Sequence, residues 1–215
     1  SFRMKTCAWM ATWFALWAGV AAAELSAPSI SILSSRAGVG EGLIFLAPQG
    51  DAQADPSHPV APGPLVVDNL GRPVWFSPLP PGTAGLATDL RVQTYQGRPV
   101  LTWMQGGDQT AVKTTTTTDY ILDDSYTVIA RVQAGNGLNA NRHDFQITPQ
   151  NTALLVIYNL IPCDLSPVGG TVSGKVYEAV VQEVEIATGT VLMEWHSLAD
   201  VPLDRKSTRL NSSHV

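Results

Sequence analysis

The sequence predicts an all-β protein built from repeated four-stranded antiparallel units, the repeat of a β-propeller. Two kinds of hairpin alternate along the chain, and each recurs after 55 residues: Asp89 corresponds to Asp144, and Asp68 corresponds to Asp123. The segment 180–195 is a third copy of the second kind. Helix-forming periodicity is almost absent. Two hairpins make one four-stranded unit, and a series of such units predicts a propeller.

The clearest hairpin spans residues 142–159. Phe145 and Ile147 alternate with polar residues, which is the period of a half-buried strand. The residues 149–152 have turn chemistry, and the apolar run 154–158 predicts a strand buried on both faces. His143 enters this hairpin after a loop rich in Gly and Asn, and a histidine at the mouth of a buried hairpin can face a cleft.

Composition limits the partners. The chain has 13 Lys and Arg against 18 Asp and Glu, a net charge of −5, and no basic stripe, which argues against a nucleic-acid partner. Its four histidines and two cysteines never approach metal-ligand spacing, so we expect neither a metal nor another cofactor. Cys7 lies in a segment that we expect to be removed, which leaves Cys163 unpaired.

The first 23 residues predict a leader and signal peptide. Met4 begins a plausible reading frame, the run 8–20 is apolar, and the small residues 21–23 offer a cleavage site. The alternative is a single membrane anchor, but the apolar run is shorter than the roughly 20 residues that a span needs. We therefore expect a secreted or periplasmic protein with no stable membrane span after cleavage.

The remaining chain divides into three parts. Residues 24–41 form a lead segment with one short strand candidate, Ile30 to Leu33, and 42–203 hold the hairpins. Residues 204–215 break the composition, and 204–214 can be back-translated into a common DNA-sequencing adapter; the alternative is a solvated polar tail. We expect this stretch to be an artefact and the natural protein to be longer.

Several motifs resemble the arylsulfotransferase-like family over about residues 42–203. They are Asp68-Asn-Leu-Gly-Arg-Pro-Val-Trp-Phe76, Asp89-Leu-Arg-Val-Gln93, Gly97-Arg-Pro-Val-Leu-Thr-Trp103, His143-Asp-Phe-Gln146 and Glu194-Trp-His-Ser197. The resemblance implies a six-bladed propeller, of which about half is present, and transfer of a sulfuryl group from a phenolic sulfate ester to a phenol through a sulfohistidine. The region expected to hold that histidine lies beyond residue 203, so we expect the fragment to be inactive.

The resemblance also implies site residues. Sulfuryl transfer needs charge stabilisation at the transferring oxygens and imidazoles that act as nucleophile or acid. His143 matches the family's H-[D/E]-F position and is the catalytic candidate; the alternative is a strand cap. Arg91 and Arg142 could bind sulfate oxygens, and Tyr158 could stack on an aryl group; surface solvation and core packing are the alternatives.

The other histidines are weaker candidates. We expect His196 to be structural, and we expect neither His58 in a Pro-rich loop nor His214 near the terminus to belong to a site. Two function classes stay open. One is an exported sulfotransferase acting on aryl sulfates and phenolic small molecules, and the other is a non-catalytic propeller that binds glycan or protein. A third and weaker alternative, a quinone-dependent dehydrogenase, is supported only by the predicted propeller fold.

Overall fold

The computed structural model describes residues 26–36, 38, 40–49, 61–80, 86–106, 116–201 and 203. The predicted signal peptide, the stretch 204–215, Cys7, His58 and His214 therefore lie outside the described residues. Eleven strands are described: β1 Leu43–Leu46, β2 Leu65–Asp68, β3 Pro73–Phe76, β4 Leu86–Tyr95, β5 Arg98–Gly106, β6 Thr118–Leu122, β7 Val128–Val132, β8 Phe145–Ile147, β9 Thr152–Cys163, β10 Gly174–Glu185 and β11 Val191–His196.

The strands form three antiparallel sheets. The first sheet has the order β1-β2-β3, the second β4-β5-β6-β7, and the third β8-β9-β10-β11. Among the described residues, helix is limited to a 3₁₀ turn, Ser166–Val168, and a single α-turn, Ser197–Asp200. The all-β class and the two four-stranded antiparallel units are thus confirmed. Ile30 to Leu33, in contrast, is not a strand, so that prediction is wrong.

The 55-residue repeat has a physical basis in matching turns. Asp68 Oδ1 accepts hydrogen bonds from the N–H groups two and four residues later, and Asp123 Oδ1 does the same in the second sheet. Gln96 and Asn151, also 55 residues apart, both have positive φ angles, +51° and +63°. Asn tolerates this left-handed backbone, and both residues lie in the tight turns that close equivalent hairpins.

The sheets stack face to face with the second sheet in the middle. One apolar cluster fills the space between the first and second sheets and includes Val66, Leu101 and Trp103. Another, between the second and third sheets, includes Met104 and Phe145. The first strands of successive sheets touch, β1 against β4 and β4 against β8. The described sheets do not close into a ring, so the six-bladed propeller stays a prediction.

The third sheet corrects one sequence-based expectation. The run 154–158 of β9 is not buried on both faces: Leu155 and Ile157 are buried against the second sheet, whereas Tyr158 is half exposed. Burial alternates along β9 because the opposite face of the third sheet has no neighbour among the described residues. That outer face is apolar, and Trp195 and Tyr177 are also partly exposed there.

Candidate functional site

The candidate site lies where β4 of the second sheet meets β8 of the third. β8 is hydrogen-bonded as a strand to β9, and side chains of β4 approach its backbone. Gln93 Oε1 accepts from the Ile147 N–H at 2.8 Å, and Gln93 Nε2 donates to the Phe145 carbonyl at 3.0 Å. Asp89 Oδ2 accepts from the Phe145 N–H at 3.3 Å. These side chains thus provide hydrogen bonds that a paired strand would otherwise supply.

Arg91 lies at the centre of this contact between β4 and β8, which is called the seam below. Its Nη2 donates to Asp144 Oδ1 at 2.8 Å and to the Phe145 carbonyl, and it lies 3.0 Å from Asp89 Oδ2. Its Nε is buried and has no hydrogen-bond partner. One guanidinium therefore holds β4 against the entry to β8, and its charge is shared between two carboxylates.

The turn before β8 carries His143 and is fixed from both sides. The His143 N–H donates to Asn141 Oδ1 at 2.9 Å, and the Asn141 N–H donates to the Val156 carbonyl at 2.7 Å. Thr88 Oγ1 donates to the Arg142 carbonyl at 2.5 Å. The His143 side chain is exposed, and it forms no hydrogen bond with any residue that the structure describes. A fixed backbone thus carries a ring that is exposed to solvent.

The predicted substrate-binding residues occupy different environments. Arg142 is partly buried, and its Nη1 is buried without a hydrogen-bond partner. Arg91 is already engaged in the seam. Tyr158 lies two residues beyond Val156, on the outer face of the third sheet, and forms no hydrogen bond with the other predicted site residues. The structure therefore brings Arg91, Arg142 and His143 to one end of the contact between β4 and β8, whereas Tyr158 lies on the opposite face of the third sheet.

An open cleft of about 810 Å³ follows the same seam. Arg91 and Gln93 line it from β4, and Gln146 and Ile147 line it from β8. It extends toward the hairpin turns at Gly97 and 149–151 rather than toward His143, which does not line it. Arg91 is therefore the residue that the cleft and the His143 turn share.

A buried carboxyl group lies on the face of the second sheet that packs on the third. Asp119 on β6 is fully buried, and burial raises its pKa to about 8, helped by the nearby negative charge of Asp89 and opposed by Arg91. Burial also raises the pKa of Asp89, against the lowering effect of Arg91. Both carboxyls are thus held closer to their neutral form than an exposed carboxyl would be.

His196 lies in a separate network. Its Nε2 is 2.8 Å from Glu194 Oε1, and its Nδ1 is 3.0 Å from Glu178 Oε2. The hydrogen bond to Glu194, followed by the one to Glu178, raises the pKa of His196. Glu194 Oε2 also accepts from Asn136 and Gln182, which ties the loop after β7 to the third sheet. The structural role expected for His196 is compatible with this network and stays a prediction.

The sequence did not lead us to include Asp89, Gln93 and Asp119 among the residues predicted for the candidate site. A signal for two of them was present, since Asp89, Arg91 and Gln93 alternate with Leu90 and Val92 along one strand. Polar residues at such spacing indicate a polar strand face that needs partners. Asp119 gave no comparable signal, because it follows a run of threonines and resembles the polar start of an exposed strand.

Other features within the described residues add no further site. No cluster of His, Cys, Asp or Glu has an arrangement that could hold a metal ion. Cys163 is a free thiol. No described helix has the length and apolar character needed to cross a membrane.

Comparison with known families identifies the chain. The family model described as arylsulfotransferase (ASST) matches residues 95–213, just over half of the chain, and this span includes Asp119, Arg142 and His143. No curated protein and no solved structure matches the chain significantly. The match overlaps the stretch 204–215, whose assignment as an artefact stays a prediction. The chain therefore belongs to the arylsulfotransferase family.

Proposed function

We propose that the chain is part of an exported arylsulfotransferase that moves a sulfuryl group from a phenolic sulfate ester to a phenol through a sulfohistidine. The observation that carries the proposal is the family match, which includes the turn with His143 and Arg142. The geometry supports it, since that turn has a fixed backbone and an exposed ring. A secreted or periplasmic location is part of the proposal.

Two half-reactions describe the transfer. In the first, a nucleophilic imidazole forms an N–S bond while the S–O bond to the donor phenol breaks, and the leaving phenolate takes a proton. In the second, the acceptor phenol loses its proton, attacks the sulfur and releases the imidazole. We assign His143 to the proton transfer at the phenol oxygen, because its ring is exposed and not hydrogen-bonded to described residues. The sulfated histidine is a different residue in this scheme.

The arginines have distinct roles in the proposal. Arg142 has a buried Nη1 without a hydrogen-bond partner, and we assign this group to binding a sulfate oxygen. Arg91 would have to give up hydrogen bonds to Asp144 and Phe145 to reach a substrate, so we assign it mainly to holding the turn. Tyr158 is the candidate for stacking on the aryl group, because its ring is half exposed on the outer face of the third sheet.

The propeller is also part of the proposal. Sheets whose first strands touch in sequence are arranged as blades around an axis, and β1, β4 and β8 have this relation. We propose that further blades complete the ring and supply the sulfated histidine, and that residues 204–215 are not natural sequence. The fragment without those blades is then inactive.

The test is the reading frame re-amplified past residue 203 and expressed in full. With a nitrophenyl sulfate as donor, we expect nitrophenol release to depend on added phenol, and we expect intact mass spectrometry to detect one sulfuryl group on the protein without acceptor. Absence of both signals from a folded, complete protein would refute the sulfotransferase. A protein that instead bound a glycan or another protein would be the non-catalytic propeller.

A further inference from the structure

A second pocket is lined by residues of the first and second sheets, whereas the cleft at the seam is lined by residues of the second and third. Its volume is about 350 Å³, and the two cavities share no described lining residue. The walls come from β3 and the connector after it, and from β5, β6 and the turn before β7. A pocket of this size is large enough for a small molecule.

Two pairs of aromatic rings form much of the wall. Trp75 of β3 stacks on Tyr126 of the turn before β7, with ring centroids 5.0 Å apart and planes 10° from parallel. Trp103 of β5 stacks on Tyr120 of β6 at 4.4 Å. Trp103 is buried, but Trp75 is half-buried and Tyr126 is exposed, so the first pair still offers ring surface to a ligand.

Polar groups without partners lie beside these rings. The Trp103 Nε1 is buried and has no hydrogen-bond partner. Gln105 follows two residues later on the same face of β5, is half-buried, and forms no hydrogen bond with any residue that the structure describes. The indole N–H is a donor only, whereas the glutamine amide both donates and accepts. The pocket therefore offers both donors and an acceptor that the described protein leaves unused.

The lining of the pocket carries no charge among the described residues. Arg131 lies over the Tyr120 ring at 5.4 Å but does not line the pocket. An anion placed there would lose its hydration without gaining a cation, which is unfavourable. The lining thus favours a neutral ligand and argues against a sulfate ester.

We propose that this pocket binds a neutral pyranose sugar. The C–H face of such a ring packs on aromatic side chains, and its hydroxyls both donate and accept, so they match the Trp103 indole and both ends of the Gln105 amide. A proline-rich peptide, the other common ligand of aromatic grooves, offers mainly carbonyl acceptors and lacks N–H donors at its prolines. A simple phenol has one hydroxyl. The site takes no part in the proposed sulfuryl transfer.

Indole N–H resonances report on this pocket directly in ¹H–¹⁵N NMR spectra of the full chain. The probes are the methyl glycosides of glucose, galactose, mannose and N-acetylglucosamine. We expect at least one of them to shift the Trp103 indole resonance, assigned by its loss in Trp103→Phe, in a saturable way with a Kd of about 1 mM or lower. No saturable shift with any of the four, or a shift with phenol or a proline-rich peptide alone, would overturn the proposal.

A charged analogue tests the neutral character of the site. The uronic acid of the best-bound sugar keeps the ring and replaces one CH₂OH group with a carboxylate. Because no described lining residue is cationic, we expect its Kd to be at least about 10-fold higher than that of the neutral sugar. Equal binding of the two would show that the ligand class is wrong.

Two variants locate the binding. Tyr126→Asn removes a ring from the wall, and Asn tolerates the φ of +59° at this turn, so the Kd should rise about 5- to 10-fold. Gln105→Leu removes the amide at similar size and should raise the Kd about 10-fold. Tyr177→Leu, at an exposed ring of the third sheet, is the control and should change nothing. Unchanged affinity in both pocket variants would place the sugar elsewhere and contradict the proposal; Tyr126→Asn decides this even if Gln105→Leu does not fold.

Sugar binding and sulfuryl transfer can fail separately. A complete protein that turns over a nitrophenyl sulfate but binds none of the four sugars would refute this inference and leave the sulfotransferase intact. A protein that binds a sugar with the expected response to Tyr126→Asn, but shows neither phenol-dependent nitrophenol release nor a sulfuryl adduct, would support the inference and refute the sulfotransferase.

Discussion

The two seams between sheets are made of different chemistry. On the face of the second sheet that packs on the first, Trp103 stacks on its cross-strand neighbour Tyr120 with ring centroids 4.4 Å apart, and Trp75 of the first sheet stacks on Tyr126 of the second at 5.0 Å. Between the second and third sheets, polar side chains of β4 bind the backbone of β8 beside an aliphatic cluster. Both seams join neighbouring sheets, but only the second sets individual backbone atoms in place.

This difference bears on function. Aromatic and aliphatic packing depends on area and shape and tolerates small shifts of one sheet against the other. The hydrogen bonds that join Arg91 and Gln93 to the backbone of Phe145 and Ile147 tolerate much less, since they fail when an atom moves by about an ångström. The polar seam thus fixes the turn at His143, and the aromatic seam mainly supplies stability.

The largest expected effect is on the aromatic seam. Trp103→Ala removes a side chain that is 5% exposed and leaves a cavity against Tyr120, so we expect the free energy of unfolding to fall by about 3–5 kcal/mol. Trp103→Phe, the control, keeps a stacked ring and should cost clearly less. Urea denaturation measures both, and a loss below about 1 kcal/mol for the alanine variant would show that this seam is not close-packed.

The second-largest loss of stability is expected from a substitution in the polar seam. Arg91→Met removes the bonds to Asp144 and Phe145 and leaves Asp89 without its cation, so we expect a loss of about 2–3 kcal/mol. Amide hydrogen exchange should rise at β8 and at the turn before it, and less in the first sheet. Arg98→Met, at an exposed position of the same hairpin, should stay within about 0.5 kcal/mol of the native protein. Equal effects of the two changes would remove the special role of Arg91.

A smaller effect is expected at the aryl-binding candidate. In the complete protein, Tyr158→Leu removes a half-exposed ring from the outer face of the third sheet, so KM for the nitrophenyl sulfate should rise about 5- to 10-fold, equivalent to about 1 kcal/mol of aromatic contact. The maximal rate should stay near that of the native protein. Tyr177→Leu, on the same apolar face, is the control. An unchanged KM would leave Tyr158 as an outer-face residue without a role in binding.

The smallest effect concerns pH and the His196 network. The pKa of His196 is raised from 6.5, so its contribution to stability is fully present below pH 6.5 and is lost as pH rises through the folded-state value. The pKa of Glu194 is lowered from 4.5, chiefly by the His196 hydrogen bond, so its contribution is present above pH 4.5 and is lost as pH falls. Their joint contribution should therefore be greatest between these values. His196→Gln should remove the loss of stability that the native protein shows as pH rises. An unchanged dependence of the thermal unfolding midpoint on pH in this variant would contradict the prediction.

Sequence predicted the repeating unit but not the contacts between units. The matching turns at Asp68 and Asp123 depend on local hydrogen bonds two to four residues apart, which the residue types alone indicate. The partners of Arg91 lie about 54 residues away and exist only once the sheets are stacked. The same stacking buries Asp119 and leaves one face of β9 exposed, so neither feature could be derived from local pattern.

The candidate site was foreseen in part for the same reason. His143 follows a Gly and Asn loop and precedes an alternating strand, so its place at the entry of a hairpin was predictable. Its relation to Arg91 was not, since Arg91 lies on β4 of the second sheet and His143 in the turn before β8 of the third. The roles of His143, Arg91, Arg142 and Tyr158 remain predictions that variants must test.

The most direct test of the account compares two histidines in the complete protein. We expect His143→Ala to lower the turnover of a nitrophenyl sulfate with phenol by about 100-fold or more, with little change in the unfolding midpoint, because the ring is exposed and contributes little packing. His196→Ala should lower the midpoint and leave turnover within a few-fold, because its ring is bonded to Glu178 and Glu194. Full turnover in His143→Ala with unchanged substrate affinity would contradict the account and reduce His143 to a turn residue.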